Sequence, residues 1–184
     1  MNEIIKIGGK LAAICAIAAI SLGVVNAVTD PVIVAARAAK LQNALEKLSG
    51  GLDIGEFSEN KDSDSVTGYY PLSGSSGIEA YIVKVVASGY GGDMNILTGI
   101  SLNGEILSVV LMENAETPGL GKEAENPSYM KKYIGTGNGL PISSSKTQLS
   151  SEDSDAITGA SITFMAIGKA LNTAADFVLK MEER

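Results

Sequence analysis

The chain has 184 residues, a net charge of −7, a single cysteine and no histidine. That length suits one domain plus an accessory segment, and the acidity makes the chain a poor partner for nucleic-acid phosphates. With Cys15 alone there is no disulfide framework, and sites built on histidine or on cysteine clusters lose their ligands. Ser-His-Asp and Cys-His catalytic arrangements lose their base as well, so any redox chemistry has to come from a cofactor that needs neither residue.

Leu11 to Val28 carries no charged residue and follows Lys6 and Lys10. Its 18 residues are about the minimum for a bilayer-spanning helix. Val25-Asn26-Ala27 also passes as a signal-peptide cleavage site; a retained anchor over residues 1–29 is the preferred reading. Arg37 and Lys40 balance the two N-terminal lysines, so charge bias alone leaves the orientation open. Asp30 followed by Pro31 reads as an N-cap with proline at the first helical position. A juxtamembrane helix is therefore expected over residues 30–51, ended by Ser49-Gly50-Gly51.

The remainder, residues 52–184, is read as one α+β domain. Asp53 to Ser76 is polar loop with a short strand near Val66 to Tyr70. Ala80 to Ala87 is β-branched and mostly apolar, hence a strand, broken by Gly89-Tyr90-Gly91-Gly92. Ile96 to Leu102 and Glu105 to Met112 flank Asn103-Gly104, which predicts a hairpin with a type I′ turn. Three adjacent antiparallel strands follow. Glu116-Thr117-Pro118-Gly119-Leu120-Gly121 then supplies a turn with flexible backbone positions; an ordinary strand-to-helix loop accounts for it equally well. Pro127 to Tyr133 predicts a short helix, Gly135 to Ser145 a loop, and Lys146 to Leu149 a short strand. From Ile162 onward, Ile162, Met165, Ala166, Leu171, Ala174, Phe177, Val178 and Met181 recur near helical spacing, which predicts an amphipathic helix of about twenty residues packed on the sheet.

The stretch Asp155-Ala156-Ile157-Thr158-Gly159-Ala160-Ser161-Ile162-Thr163 crowds hydroxyls around a Gly-Ala pair just before that helix. A helix N-terminus offers unpaired N–H groups and the positive end of the macrodipole, a natural seat for a phosphate. A hydroxyl in this turn can hydrogen-bond such a phosphate or be esterified to it. Equally, Thr158 or Ser161 can serve simply as the helix cap. Asp155 is expected to brace the turn through backbone N–H groups.

Residues 155–161 resemble the flavinylation motif Asp-x-x-(Ser/Thr)-Gly-Ala-(Thr/Ser) of bacterial FMN-binding domains. The Glu116–Gly121 block and the single N-terminal apolar segment match further features of that family, and the whole is similar to the G subunit of the Rnf electron-transport complex. The C subunit of the sodium-translocating NADH:quinone oxidoreductase shares the domain. The resemblance implies an N-terminal transmembrane helix followed by a single FMN-binding domain with an antiparallel sheet and packed helices. It implies FMN joined by a phosphoester to the motif's last residue, Ser161. The family's usual acceptor is threonine, so Thr163, two residues on, is the alternative. It further implies that Glu116, Thr117, Gly119, Leu120 and Gly121 line the flavin site with Thr158, Gly159 and Ala160. Glu116 and Thr117 would bond ring or ribityl atoms, and Tyr90 would lie near the flavin. The implied function is electron relay within a membrane complex linking ferredoxin and NAD to ion movement, with no substrate turned over by this subunit alone and no metal site. A separate flavin transferase would install the cofactor. Lipid and the other subunits of the complex are the remaining partners, with the soluble domain outside the cytoplasm on a single-pass anchor in the cell (inner) membrane. A stand-alone membrane-anchored flavoprotein carrier and a non-redox assembly module are the rival readings.

Overall fold

The computed structural model describes residues 2–149, 154 and 157–183, so Asp155, expected to brace the motif's turn, lies outside the described residues. The chain divides into two compact units, Met1–Gln42 and Asn43–Arg184.

The first unit lies within helix α1, which runs from Asn2 to Ser49. No new helix starts at Asp30. The helix passes through Pro31, and two residues earlier the Thr29 hydroxyl donates back to the Val25 carbonyl at 2.9 Å. A proline in a long apolar helix forfeits one backbone hydrogen bond but does not force an end to the helix where the flanking residues favour it. Every large apolar side chain described from Ile5 to Val34 is exposed. The helix is long and apolar enough to cross a membrane.

The second unit is built on one antiparallel sheet in the order β1-β3-β4-β5-β6, with β2 sharing an edge of β3. Its strands are β1 (Asp53–Ile54), β2 (Ser58–Glu59), β3 (Val66–Gly74), β4 (Gly77–Ser88), β5 (Asp93–Ser101) and β6 (Ile106–Glu113). The alternation along β4 and β5 sorts side chains onto two faces. Tyr81, Val83, Val85 and Ala87 of β4, with Met94, Ile96 and Ile100 of β5, join the main core. Ala80, Ile82, Leu97 and Leu72 are buried outside that cluster, as are Ala44 and Leu48 near the end of α1.

The β5–β6 turn differs from the expected type I′. Asn103 has no positive φ, Gly104 sits at +82°, and the Gly104 N–H bonds the Ser101 carbonyl. This is the longer hairpin connection, a tight turn closed by a left-handed glycine, which needs only one residue in that region. The expected strand at Lys146 to Leu149 is instead a 3-10 turn over Lys146–Gln148, held by Gln148 Oε1 accepting from the Ser144 and Ser145 N–H groups.

Helix α2 (Pro127–Met130) starts on the Asn126 side chain, which accepts from Ser128 N–H. Helix α3 (Ser161–Glu182) lies across β3, β4 and β5. Its buried stripe is Phe164, Ile167, Leu171, Ala174 and Val178, the i, i+3/i+4 pattern of a core-facing helix. Ile162 and Met165, assigned to that stripe from spacing, are exposed instead: Ile162 lies about 200° around the helix from Phe164. Tyr133 stacks on Phe164 at 5.2 Å and donates its hydroxyl to the Phe164 carbonyl at 2.8 Å, which ties the segment after α2 to the first turn of α3.

Candidate functional site

The two motif blocks meet at the amino end of α3. Ala160 occupies the N-cap position, and among the described residues no side chain caps the helix. Thr158 turns away and donates to the Ser154 carbonyl at 3.3 Å. The first helical bond runs from Phe164 N–H to the Ala160 carbonyl. The amides of Ser161, Ile162 and Thr163 therefore precede the ladder, and the expected capping role for Thr158 or Ser161 is absent.

A half-open cavity of about 390 Å3 lies against this end, within the roughly 300–1,000 Å3 usual for small-molecule sites. Residues 159–163 form one wall; Glu116, Thr117, Leu120 and Gly121 form the other, and Tyr90 closes a side. Of the residues expected at the site, only Gly119 and Thr158 stand outside this lining. Ile162, unnoticed as a site residue, belongs to it. Its signal was available in the sequence, as an apolar residue out of phase with the buried stripe.

Local chemistry explains how the blocks come together. Thr117-Pro118-Gly119-Leu120 closes a turn through the Leu120 N–H and the Thr117 carbonyl, with Gly119 at φ +75°, the sign a type II turn demands at that position. Across the cavity the Ala160 N–H bonds the Ile157 carbonyl, with Gly159 at φ +87°. A Cβ on Gly159 would come within 2.8 Å of the Leu120 side chain, so the two turns are in contact.

The Glu116 carboxylate is hydrogen-bonded to the protein at both oxygens. The side chain is 3% exposed; Oε1 accepts from the Gly91 N–H at 3.0 Å and Oε2 from the Thr163 hydroxyl at 2.7 Å. Asn114 Oδ1 holds the Glu116 N–H at 3.0 Å. Each carboxylate oxygen thus accepts one hydrogen bond from the protein and keeps a further lone pair for a donor in the cavity. Thr163, itself 1% exposed, is committed to that contact, whereas Ser161 lines the cavity half-buried. Burial and then the negative charge of Glu116 push the Tyr129 hydroxyl well above its usual range, and this buried hydroxyl has no hydrogen-bond partner among the described residues.

A cavity walled by a helix start on one side and by turns and apolar side chains on the other has the features of a nucleotide site: backbone N–H groups for a phosphate, and Leu120, Ile162 and Tyr90 for an aromatic ring system. Residues 89–176 of the chain match the FMN-binding domain family.

More particularly, it is similar to the G subunits of ion-translocating complexes. It is 28% identical over 178 residues to the G subunit of the proton-translocating ferredoxin:NAD(+) oxidoreductase complex of Clostridium ljungdahlii, covering 96% of this chain and 92% of that one. It is 32% identical over 123 residues to the G subunit of an ion-translocating oxidoreductase complex of Methanosarcina acetivorans, covering 66% and 63%. With the G subunit of the Na(+)-translocating ferredoxin:NAD(+) oxidoreductase complex of Acetobacterium woodii the figures are 34% over 98 residues, 52% and 47%. The chain thus spans less than two-thirds of the latter two relatives. NqrC of Shewanella oneidensis shares the fold, with a TM-score of 0.51 and 16% identity over 69% of each chain.

Proposed function

We propose that this protein is the FMN-carrying, electron-transfer G subunit of an ion-translocating ferredoxin:NAD oxidoreductase complex, with the flavin held as a phosphoester on Ser161. The observation that carries the reading is the meeting of the Glu116–Gly121 and 157–163 blocks around one cavity at the amino end of α3. FMN supplies one- and two-electron redox chemistry that no side chain of this chain provides. The first-turn amides of α3 hold the phosphate. Thr117 offers a hydroxyl to a polar group, while Leu120, Ile162 and Tyr90 cover apolar ring surface and limit water. Both residues line the cavity, and Ser161 is favoured over Thr163 as the acceptor because it is only half-buried, while the Thr163 hydroxyl is buried against Glu116.

A flavin transferase makes the ester, α1 anchors the chain in the cell membrane, and the domain stands on the extracytoplasmic side among the other subunits. The ester removes the dissociation equilibrium that would otherwise empty the site where lost FMN is not recovered.

Intact-mass analysis of the protein from its native membrane, followed by peptide mapping, tests the reading. The expected result is one FMN on the peptide containing Ser161, retained after denaturation and lost in Ser161→Ala. Protein with no flavin bonded to it sinks the reading; a flavin on Thr163 moves the acceptor and leaves the rest.

A further inference from the structure

Glu116 is buried at the junction of three segments. Its carboxylate joins the Gly89–Gly92 turn, through the Gly91 N–H, to the first turn of α3, through the Thr163 hydroxyl. The surroundings are cut to fit it. A Cβ on Gly89 would lie 2.1 Å from Oε1, and one on Gly121 would lie 2.1 Å from Oε2 and 2.7 Å from the Thr163 hydroxyl. Any larger residue at either position would displace the carboxylate. Gly121 in particular has no positive φ, so its smallness serves the carboxylate rather than the backbone turn. Thr163 is two residues from Ser161 on the same helical turn, and Gly91 adjoins Tyr90, which closes the cavity.

We infer that Glu116 is a positioning residue: its carboxylate latches Thr163 and Gly91 together, and thereby sets the direction in which the Ser161 hydroxyl and the Tyr90 wall face an incoming flavin nucleotide. The inference rests on the reading of Ser161 as the flavin acceptor. In the attachment step the Ser161 Oγ forms a bond to the phosphorus of a flavin nucleotide whose phosphate is half of a pyrophosphate. The phosphoanhydride P–O bond breaks, the nucleoside monophosphate leaves with the electron pair, and the hydroxyl proton passes to a base of the transferase. Thr163 stays unmodified throughout, because its proton is needed by Glu116.

The test follows loading of the full-length chain in detergent by a flavin transferase and flavin adenine dinucleotide, with intact mass read against time. Thr163→Val and Glu116→Ala are expected to slow loading by about tenfold, which the loss of a hydrogen bond to a charged group allows. Thr163→Ser, which keeps the hydroxyl, is expected to restore it. Unchanged loading in Thr163→Val and Glu116→Ala overturns the inference. So does equal slowing in Thr163→Ser, since that would indicate packing rather than the hydroxyl. A flavin mapped to Thr163 also overturns it, without touching the presence of flavin.

Amide exchange at Gly91 in unloaded protein gives a readout independent of the cofactor and of the transferase. Faster exchange in Glu116→Ala, with the rest of the sheet still protected, supports the latch; unchanged exchange removes it. Wild-type protein that never loads removes the flavin reading instead, and the Gly91 measurement then judges the latch alone.

Discussion

At the scale of single residues, the site is governed by what glycine leaves room for. Gly91 shows this most sharply: a methyl group there would lie 2.1 Å from the Ala115 carbonyl oxygen and 3.0 Å from the Glu116 Cα. Both are backbone atoms, which cannot rotate away as a side-chain end can. Gly91→Ala is therefore expected to destabilise the domain by about 1–3 kcal/mol, the usual cost of forcing volume into a packed place. Urea unfolding checks it, and an unchanged midpoint would mean that the 113–116 segment yields freely. Much of this site was legible in the sequence because each block is short and local: Pro118-Gly119 declares a turn, and Thr158-Gly159-Ala160-Ser161 declares a helix start. The partners of Glu116 were not legible. They lie 25 and 47 residues away, and no local pattern distinguishes a glycine that makes space for a distant carboxylate from one that turns the chain.

Among the elements, β4 and α3 carry the domain, and their periodicity made both readable. The β-branched run of β4 and the apolar recurrence in α3 are signals a single segment carries by itself. What failed depends on finer choices. The Asn103-Gly104 pair fits two hairpin geometries, and the closure by Gly104 alone decided between them. Lys146–Gln148 has no apolar alternation of its own, so its side-chain bonding to Gln148 set its form. The far end of α3 is tied to the sheet by Tyr81, whose hydroxyl donates to Glu182 at 2.8 Å. Burial, then that hydrogen bond and the charge of Glu182, raise the Tyr81 pKa to about 12. The unfolded chain releases the same proton near pH 10, so the folded state holds it more tightly. The resulting stability is fully present below about pH 10 and is lost as pH rises toward 12. Tyr129 and Tyr133 are shifted in the same direction, so the decline has several contributors. Tyr81→Phe is expected to flatten part of it, read from urea midpoints between pH 9 and pH 12; an identical slope in the variant would rule Tyr81 out as a contributor.

For the molecule as a whole, the division at Gln42 separates two environments. The first unit exposes apolar side chains along its length, from Ile5 to Val34. Soluble proteins rarely leave such a surface to water. Lys10 and Asp30 bracket a charge-free stretch whose twenty-residue separation matches the roughly 30 Å of a bilayer's hydrocarbon core. The second unit has its own closed core: every member of the main cluster lies between Val66 and Val178. Folding of the domain should therefore not depend on the anchor, while location should depend on it entirely. A chain of residues 43–184 is expected to remain in the supernatant after cell lysis and high-speed centrifugation. The full chain should sediment with membranes and require detergent for release. The unfolding free energy of the shortened chain, from urea titration, should match that of the detergent-solubilised full chain to within about 0.5 kcal/mol, the scatter of changes away from packed features. Aggregation of the 43–184 chain would show that the domain borrows stability from the first unit. A full chain that stayed in the supernatant without detergent would deny α1 its place in the lipid.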